Sequence, residues 1–115
     1  MKSPHQLFHY LTVDPLNAAT AEELASDCGL AVELAEPRDL PRLESQNALL
    51  ILDWDYLPPE DRDRVLTSSA LQVVAIHGFT VTDSVTRFLL RRGALCYMQL
   101  GQEMFRGLAG LPAAA

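Results

Sequence analysis

Residues 48–53 read Ala48-Leu49-Leu50-Ile51-Leu52-Asp53, an unbroken apolar run that ends in a carboxylate. The run is too short for an ordinary helix and has no polar side to turn toward water. It is the pattern of a strand buried on both faces, and such strands lie inside parallel sheets whose faces are covered by helices. Asp53 then stands at the carboxyl end of a central strand, where open parallel sheets gather their functional groups.

Short apolar runs and longer amphipathic ones alternate on both sides of this segment. Upstream, Leu7 to Val13 (LFHYLTV) is rich in aromatic and β-branched residues and predicts a strand stopped by Asp14-Pro15. Leu16 to Cys28 predicts a helix with Leu16, Ala19, Glu23, Leu24 and Asp27 along one side, closed by Gly29. Leu30 to Leu34 predicts a second strand, and Pro37 to Ser45 a short helix or irregular turn with Leu40 and Leu43 as its apolar side. Downstream, Pro58-Pro59-Glu60 opens a helix from Glu60 to Leu66, with prolines where the first turn tolerates them. Its Asp61-Arg62-Asp63-Arg64 stretch reads as a solvated face. Leu71 to Ile76 predicts a fourth strand, ending at His77-Gly78. Thr82 to Arg92 predicts the fourth helix: Val85, Phe88 and Leu89 form an apolar stripe, Arg91 and Arg92 suit its C-terminal dipole, and Gly93 ends it. Ala94 to Leu100 predicts the fifth strand and Gln102 to Leu108 the last helix. Strands alternating with helices in this way imply βαβ units and one parallel sheet. The reading is one domain over 1–115, with a core from 7 to 110 and a tail or start of a linker at 111–115.

Composition narrows the function. A chain of 115 residues with 49% hydrophobic and 21% charged residues is an ordinary globular domain. Its formal charge of −6 repels nucleic acid and anionic membrane surfaces, so neither is an expected partner. No apolar run approaches the ~18 residues of a membrane span, and the polar start carries no signal-peptide pattern. Cys28 and Cys96 belong to no CxxC pair and to no Cys/His cluster with metal-ligand spacing, which suits two buried thiols in a reducing cytoplasm. There is no GxGxxG or P-loop and no nucleophile–base pair legible from the order of residues, so the chain reads as non-enzymatic.

The chemistry-bearing residues cluster at predicted strand ends: Asp14, Asp53 with Trp54 and Asp55, His77, and Gln99-Leu100-Gly101. If the strand order is 2-1-3-4-5, Asp14 and Asp53 face one another. Close carboxylates repel, so they favour a divalent cation such as Mg²⁺ or a raised pKa. An aspartate so placed can also act as a nucleophile and form an acyl phosphate. The plainer alternative is that both are polar residues ending apolar strands. Trp54 reads as the cover of a strand end or as an exposed binding anchor, with the cover favoured, and Phe79 as an apolar residue in a loop that could belong to an interaction surface.

Leu49-Leu50-Ile51-Leu52-Asp53 and Arg91-Arg92-Gly93-Ala94-Leu95-Cys96-Tyr97, set in this βα alternation and chain length, resemble the receiver domains of two-component response regulators. The resemblance covers roughly residues 7 to 110. It implies an α/β, flavodoxin-like three-layer sandwich with a five-stranded parallel sheet of order 2-1-3-4-5. It makes Asp53 the phospho-acceptor equivalent, Asp14 one of the acidic residues that hold Mg²⁺, and the backbone carbonyl of Asp55 a further ligand. His77 and Tyr97 occupy the switch positions.

The sequence departs from that pattern where charge matters. Pro15 follows Asp14 and breaks the acidic pair. His77 stands where a Thr or Ser hydroxyl would contact the phosphoryl group, and Leu100-Gly101 stands in place of Lys-Pro. Losing that lysine removes a charge-assisted contact worth about 1.5–3 kcal/mol. The resemblance with these departures implies a pseudo-receiver: a signalling module that works by protein–protein contact and is not switched by aspartate phosphorylation. The alternative is an atypical receiver that accepts phosphate on Asp53 from a histidine kinase. Expected partners are another protein of a bacterial signalling pathway, or a second copy through the fourth helix and fifth strand. Arg87, Arg91 and Arg92 would form an exposed basic patch there that steers an acidic partner.

Overall fold

A computed structural model describes residues 6–110. The element order is β1 (Leu7–Leu11), α1 (Pro15–Asp27), β2 (Ala31–Ala35), α2 (Leu40–Ser45), β3 (Leu49–Asp53), α3 (Pro59–Thr67), β4 (Gln72–His77), α4 (Asp83–Arg91), β5 (Leu95–Tyr97) and α5 (Gln102–Ala109). Single 3₁₀ turns precede α2, at Pro37–Asp39, and follow β3, at Trp54–Tyr56. The five strands form one parallel sheet in the order β2-β1-β3-β4-β5, a flavodoxin-like α/β fold. The expected tail at 111–115 lies outside the described residues.

The strand at the centre behaves as its sequence demands. Leu50 and Leu52 pack with Leu40, Leu43, Val65 and Leu89, so α2, α3 and α4 cover that side of the sheet. Leu49 and Ile51 point the other way, toward Ala21 and Ala25 of α1 and Met104, Phe105 and Leu108 of α5. Period-two alternation thus divides one apolar run between two cores.

Local signals set most helix ends. Asp14 caps α1, its side chain accepting the Asn17 N–H, with Pro15 in the first turn. Thr82 does the same for α4. At the other ends Gly29 and Gly93 adopt φ of 72° and 83°, the left-handed region that glycine enters without penalty. Leu30 N–H and Ala94 N–H then reach back to the Ala25 and Leu89 carbonyls, closing both helices.

Several expectations are corrected. The buried side of α1 is Ala21 and Ala25, small residues that let it lie close to the sheet; Leu16 is exposed. Phe88 lies at the surface, with the Arg92 guanidinium 4.2 Å over its ring, so only Leu89 of the α4 stripe is fully buried. Arg62 is not a solvated residue: it donates to the Trp54 carbonyl at 2.8 Å and covers the indole at 4.8 Å. The fifth strand is shorter than expected and leaves Met98 exposed beyond its end.

One irregularity matters for the site. β3 and β4 pair Leu50 with Val73 but Ile51 with Ala75, so Val74 is an extra residue in β4. Val74 and Ala75 both pack on the α1/α5 side, and Ile76 on the other. Without the bulge, strict alternation from Val73 would carry Ile76 to the α1/α5 side and His77 away from it. The bulge re-aims His77 toward β1 and α1.

Candidate functional site

Asp53 is the last residue of β3 and is 1% exposed. The β1–β3 register, Leu11 opposite Leu52, places Thr12 beside it. The Thr12 hydroxyl donates to Asp53 Oδ2 at 2.7 Å and accepts the Asp14 N–H at 3.0 Å. From the first turn of α1, the Asn17 amide donates to the same oxygen at 2.9 Å. Two donors therefore hold one carboxylate oxygen, and among the described residues none reaches the other, Oδ1.

Asp14 was expected to face Asp53. That place belongs to Thr12, because β1 stops at Leu11 and the chain turns into α1 at Pro15. The Asp14 carboxylate instead accepts the Asn17 N–H at 2.9 Å as the helix cap. The Asp55 carboxylate is engaged elsewhere too: it accepts N–H groups of Phe79 and Thr80 at 2.8 and 2.9 Å, and the Thr80 hydroxyl at 2.5 Å. Partial burial pulls the Asp55 carboxyl upward, but the Thr80 and Phe79 hydrogen bonds outweigh it and leave it below the usual value. These bonds tie the loop after β4 to the turn after β3. Gly78 permits the approach, since a Cβ there would lie 2.9 Å from Asp55 Oδ1 and 3.1 Å from Trp54 Cβ.

Among the described residues no three His, Cys, Asp or Glu side chains are grouped to hold a metal ion. With the Asp14 carboxylate committed to a helix cap, Asp53 lacks the second carboxylate that the resemblance implies for Mg²⁺, and the side chains do not fit that ion.

His77, the last residue of β4, pairs with Asp53 on β3, with Nε2 3.8 Å from Oδ1. Its hydrogen-bond partner is Tyr10, whose hydroxyl is 2.6 Å from Nε2 and whose ring stacks on the imidazole at 5.7 Å between centroids. Burial lowers the His77 pKa, against the opposing pull of Asp53 and Asp55, so the ring is neutral at pH 7. Burial, with the charges of Asp53 and Asp14, raises the Tyr10 pKa and keeps its hydroxyl protonated. A neutral ring with its proton on Nδ1 accepts that hydroxyl at Nε2.

Above this floor lies an open cleft of about 370 Å³. His77 and Asp53 form its base, and Tyr56, Phe79 and Met98 its exposed rim. Leu100 lines it where the resemblance implies a lysine. Tyr97 stands at the end of β5 and packs with the α1/α5 core; a Cβ on Gly107 of α5 would lie 3.4 Å from its hydroxyl. Trp54 is buried, as a strand-end cover should be. Arg87, Arg91 and Arg92 are exposed on and just after α4, and none lines the cleft.

Tyr10, Thr12 and Asn17 are the site residues that sequence reasoning missed. Thr12 was findable by counting register, since Thr12 and Asp53 each directly follow the last of the aligned pairs. Thr12→Val is expected to cost about 1–3 kcal/mol, because Asp53 and the Asp14 N–H both lose a buried partner. Urea denaturation measures it; a loss within experimental error would show that the hydroxyl is dispensable.

The fold and site define a flavodoxin-like α/β domain with a buried Asp–Thr–Asn contact and a Tyr–His pair at the carboxyl ends of its central strands. The chain matches no family model, no curated protein and no solved structure. Among the described residues no helix is long and apolar enough to cross a membrane.

Proposed function

We propose that this protein is a non-catalytic, receiver-like signalling module that acts through protein–protein contact in the cytoplasm, with Asp53 retained as a fixed carboxylate and not used as a phospho-switch. The observation that carries the reading is the state of Asp53: buried, with Oδ2 held by Thr12 and Asn17, and with no Lys or Arg among the described residues that line its cleft. Phosphoryl transfer depends on positioning and on neutralising charge around the transferred group. Among the described residues the only basic side chain in the lining is His77, held neutral by burial and engaged with Tyr10. The exposed helix α4, carrying Arg87 and Arg91 beside Arg92 and the apolar Leu90, supports a contact face for an acidic partner or a second copy.

A phosphorylatable receiver is the second reading, favoured by the Asp53 oxygen, Oδ1, to which no described residue donates a hydrogen bond. Incubation with acetyl phosphate and Mg²⁺, read by intact mass, separates the two. The expected result is an unmodified chain. A stable gain of one phosphoryl group that disappears in Asp53→Asn would overturn the proposal.

A further inference from the structure

We infer that the cleft over Asp53 is a receptor for a primary ammonium on an aliphatic stem, namely a lysine side chain presented by a partner protein. This deepens the protein-contact reading above and rests on it.

Among the described residues no Lys or Arg pairs with the carboxylate at the base of the cleft. Asp53 is 99% buried in the complementary sense of its 1% exposure, yet it lines an open cleft. Thr12 and Asn17 both donate to Oδ2, so the remaining capacity of the carboxylate is at Oδ1. Among the described residues no donor reaches Oδ1; His77 Nε2 stops at 3.8 Å and is bonded to Tyr10. A second carboxylate, Asp55, also lines the cleft, which deepens the negative potential inside it. A buried acceptor that opens onto such a cleft is stabilised by a cation that brings its own donors.

Geometry selects the kind of cation. A guanidinium is a planar fork that binds a carboxylate best through both oxygens. Here one oxygen is already filled by two neutral donors, and a single acceptor is left. A compact ammonium, a point charge with rotatable donors, matches one oxygen. A hydrated divalent ion needs several oxygen ligands, and the neighbouring carboxylates are committed to a helix cap and a loop.

The walls select the stem. Tyr56, Phe79 and Met98 line the cleft while 53%, 65% and 67% exposed, and Leu100 adds a further apolar side chain. Apolar side chains around a charged base suit the methylenes of lysine, which bury along apolar surface behind a polar head. Aromatic rings at the mouth also attract an ammonium passing over their faces. The volume of about 370 Å³ accommodates one such side chain with room for water.

The test uses the full chain and N-acetyl-lysine N-methylamide as probe. Binding is followed by the NMR ring signals of His77, which lie beside Oδ1, with N-acetyl-norleucine N-methylamide as the neutral isostere. Saturable shifts with the lysine amide, absent with norleucine and weakened about tenfold or more in Asp53→Asn, support the inference. Phe79→Ala changes only an exposed wall, so it folds as the parent does and should weaken binding several-fold. Equal shifts with norleucine, or undiminished binding in both variants, overturn it. So does a response to butylammonium but not to the lysine amide, which would mean a free amine. Shifts that grow with protein concentration alone would put a second copy of this chain, not a partner protein, over the cleft and also overturn it. The outcome is separable from the reading it rests on. Phosphorylation by acetyl phosphate sinks the non-switching module whether or not lysine binds; failure of lysine to bind on an unphosphorylatable chain sinks only this inference.

Discussion

Phe105→Ala is expected to remove about 3–5 kcal/mol of folding free energy, the largest loss among single substitutions considered for this protein. Phe105 is fully buried and packs with Tyr10, Ile51, Ala75 and Met104 between α5 and the sheet. Its deletion leaves a cavity bounded by β-strand backbone on one side, which cannot collapse to fill it. A domain of this size has about 5–15 kcal/mol in total, so a large part of its stability goes with one ring. The consequence reaches the site, because this core also contains Tyr10, the partner of His77. Phe88→Ala is the matched control: that ring lies at the surface under Arg92, and its loss should cost no more than about 1 kcal/mol. Urea unfolding of both variants checks the pair. Equal losses would mean that α5 does not hold the sheet as its burial implies.

That contrast also marks what could be read without coordinates. Phe88 and Phe105 both sit in apolar helical patterns, and spacing alone gave Phe88 to the core. Helix periodicity tells which residues share a side; it does not tell how much of that side another element covers, and on α4 the sheet buries Leu89 while Phe88 stays at the surface under Arg92. The central strand was legible because nothing competes with its pattern: a continuous apolar run has one good environment. Gly29 and Gly93 were legible for a similar reason, each marking a backbone turn that other residues enter at a cost.

The site was less legible, and for a specific reason. Asp14-Pro15 carries two messages, a strand stop and a helix start, and the second governs the side chain: Asp14 caps α1, and the contact with Asp53 passes to Thr12. His77 was placed correctly in sequence, opposite Asp53. Its facing depends on the extra residue at Val74, and a bulge leaves no mark in the uniform run Val73-Val74-Ala75-Ile76. Arg62 was misread because a charge-rich stretch gives no sign that one of its members lies over a buried indole. Sequence pattern therefore located the cluster of polar strand ends and left its hydrogen bonding to tertiary register.

The second large effect is loss of stability on mild acidification. His77 and His9 are both buried, and burial lowers the pKa of each below the ordinary 6.5. Asp53 and Asp55 pull His77 back upward, and Glu33 does so for His9, without overcoming it. The folded state thus prefers neutral rings, while an unfolded chain protonates them as the pH falls through 6.5. Below that pH the unfolded state binds more protons, so stability falls as pH falls, until the folded pKa values are passed. The slope approaches about 1.4 kcal/mol per pH unit for His77 alone, with His9 adding in the same direction. Asp55 acts lower down: its folded pKa lies below the ordinary 3.8, so its contribution is present above that value and disappears as pH falls further. At the alkaline end Cys96, raised above 9.0 by burial, reverses the trend, since the unfolded thiol ionises first. Urea unfolding from pH 8 to pH 5 should therefore show a plateau and then a steady decline beginning near 6.5. His77→Gln keeps an acceptor for the Tyr10 hydroxyl and removes the titration, so it should flatten roughly the His77 share of the decline. A decline of unchanged slope in that variant would assign the acid sensitivity to other groups. Stability that rises between pH 6.5 and 5 would mean that the Asp53 carboxylate wins over burial and holds His77 charged.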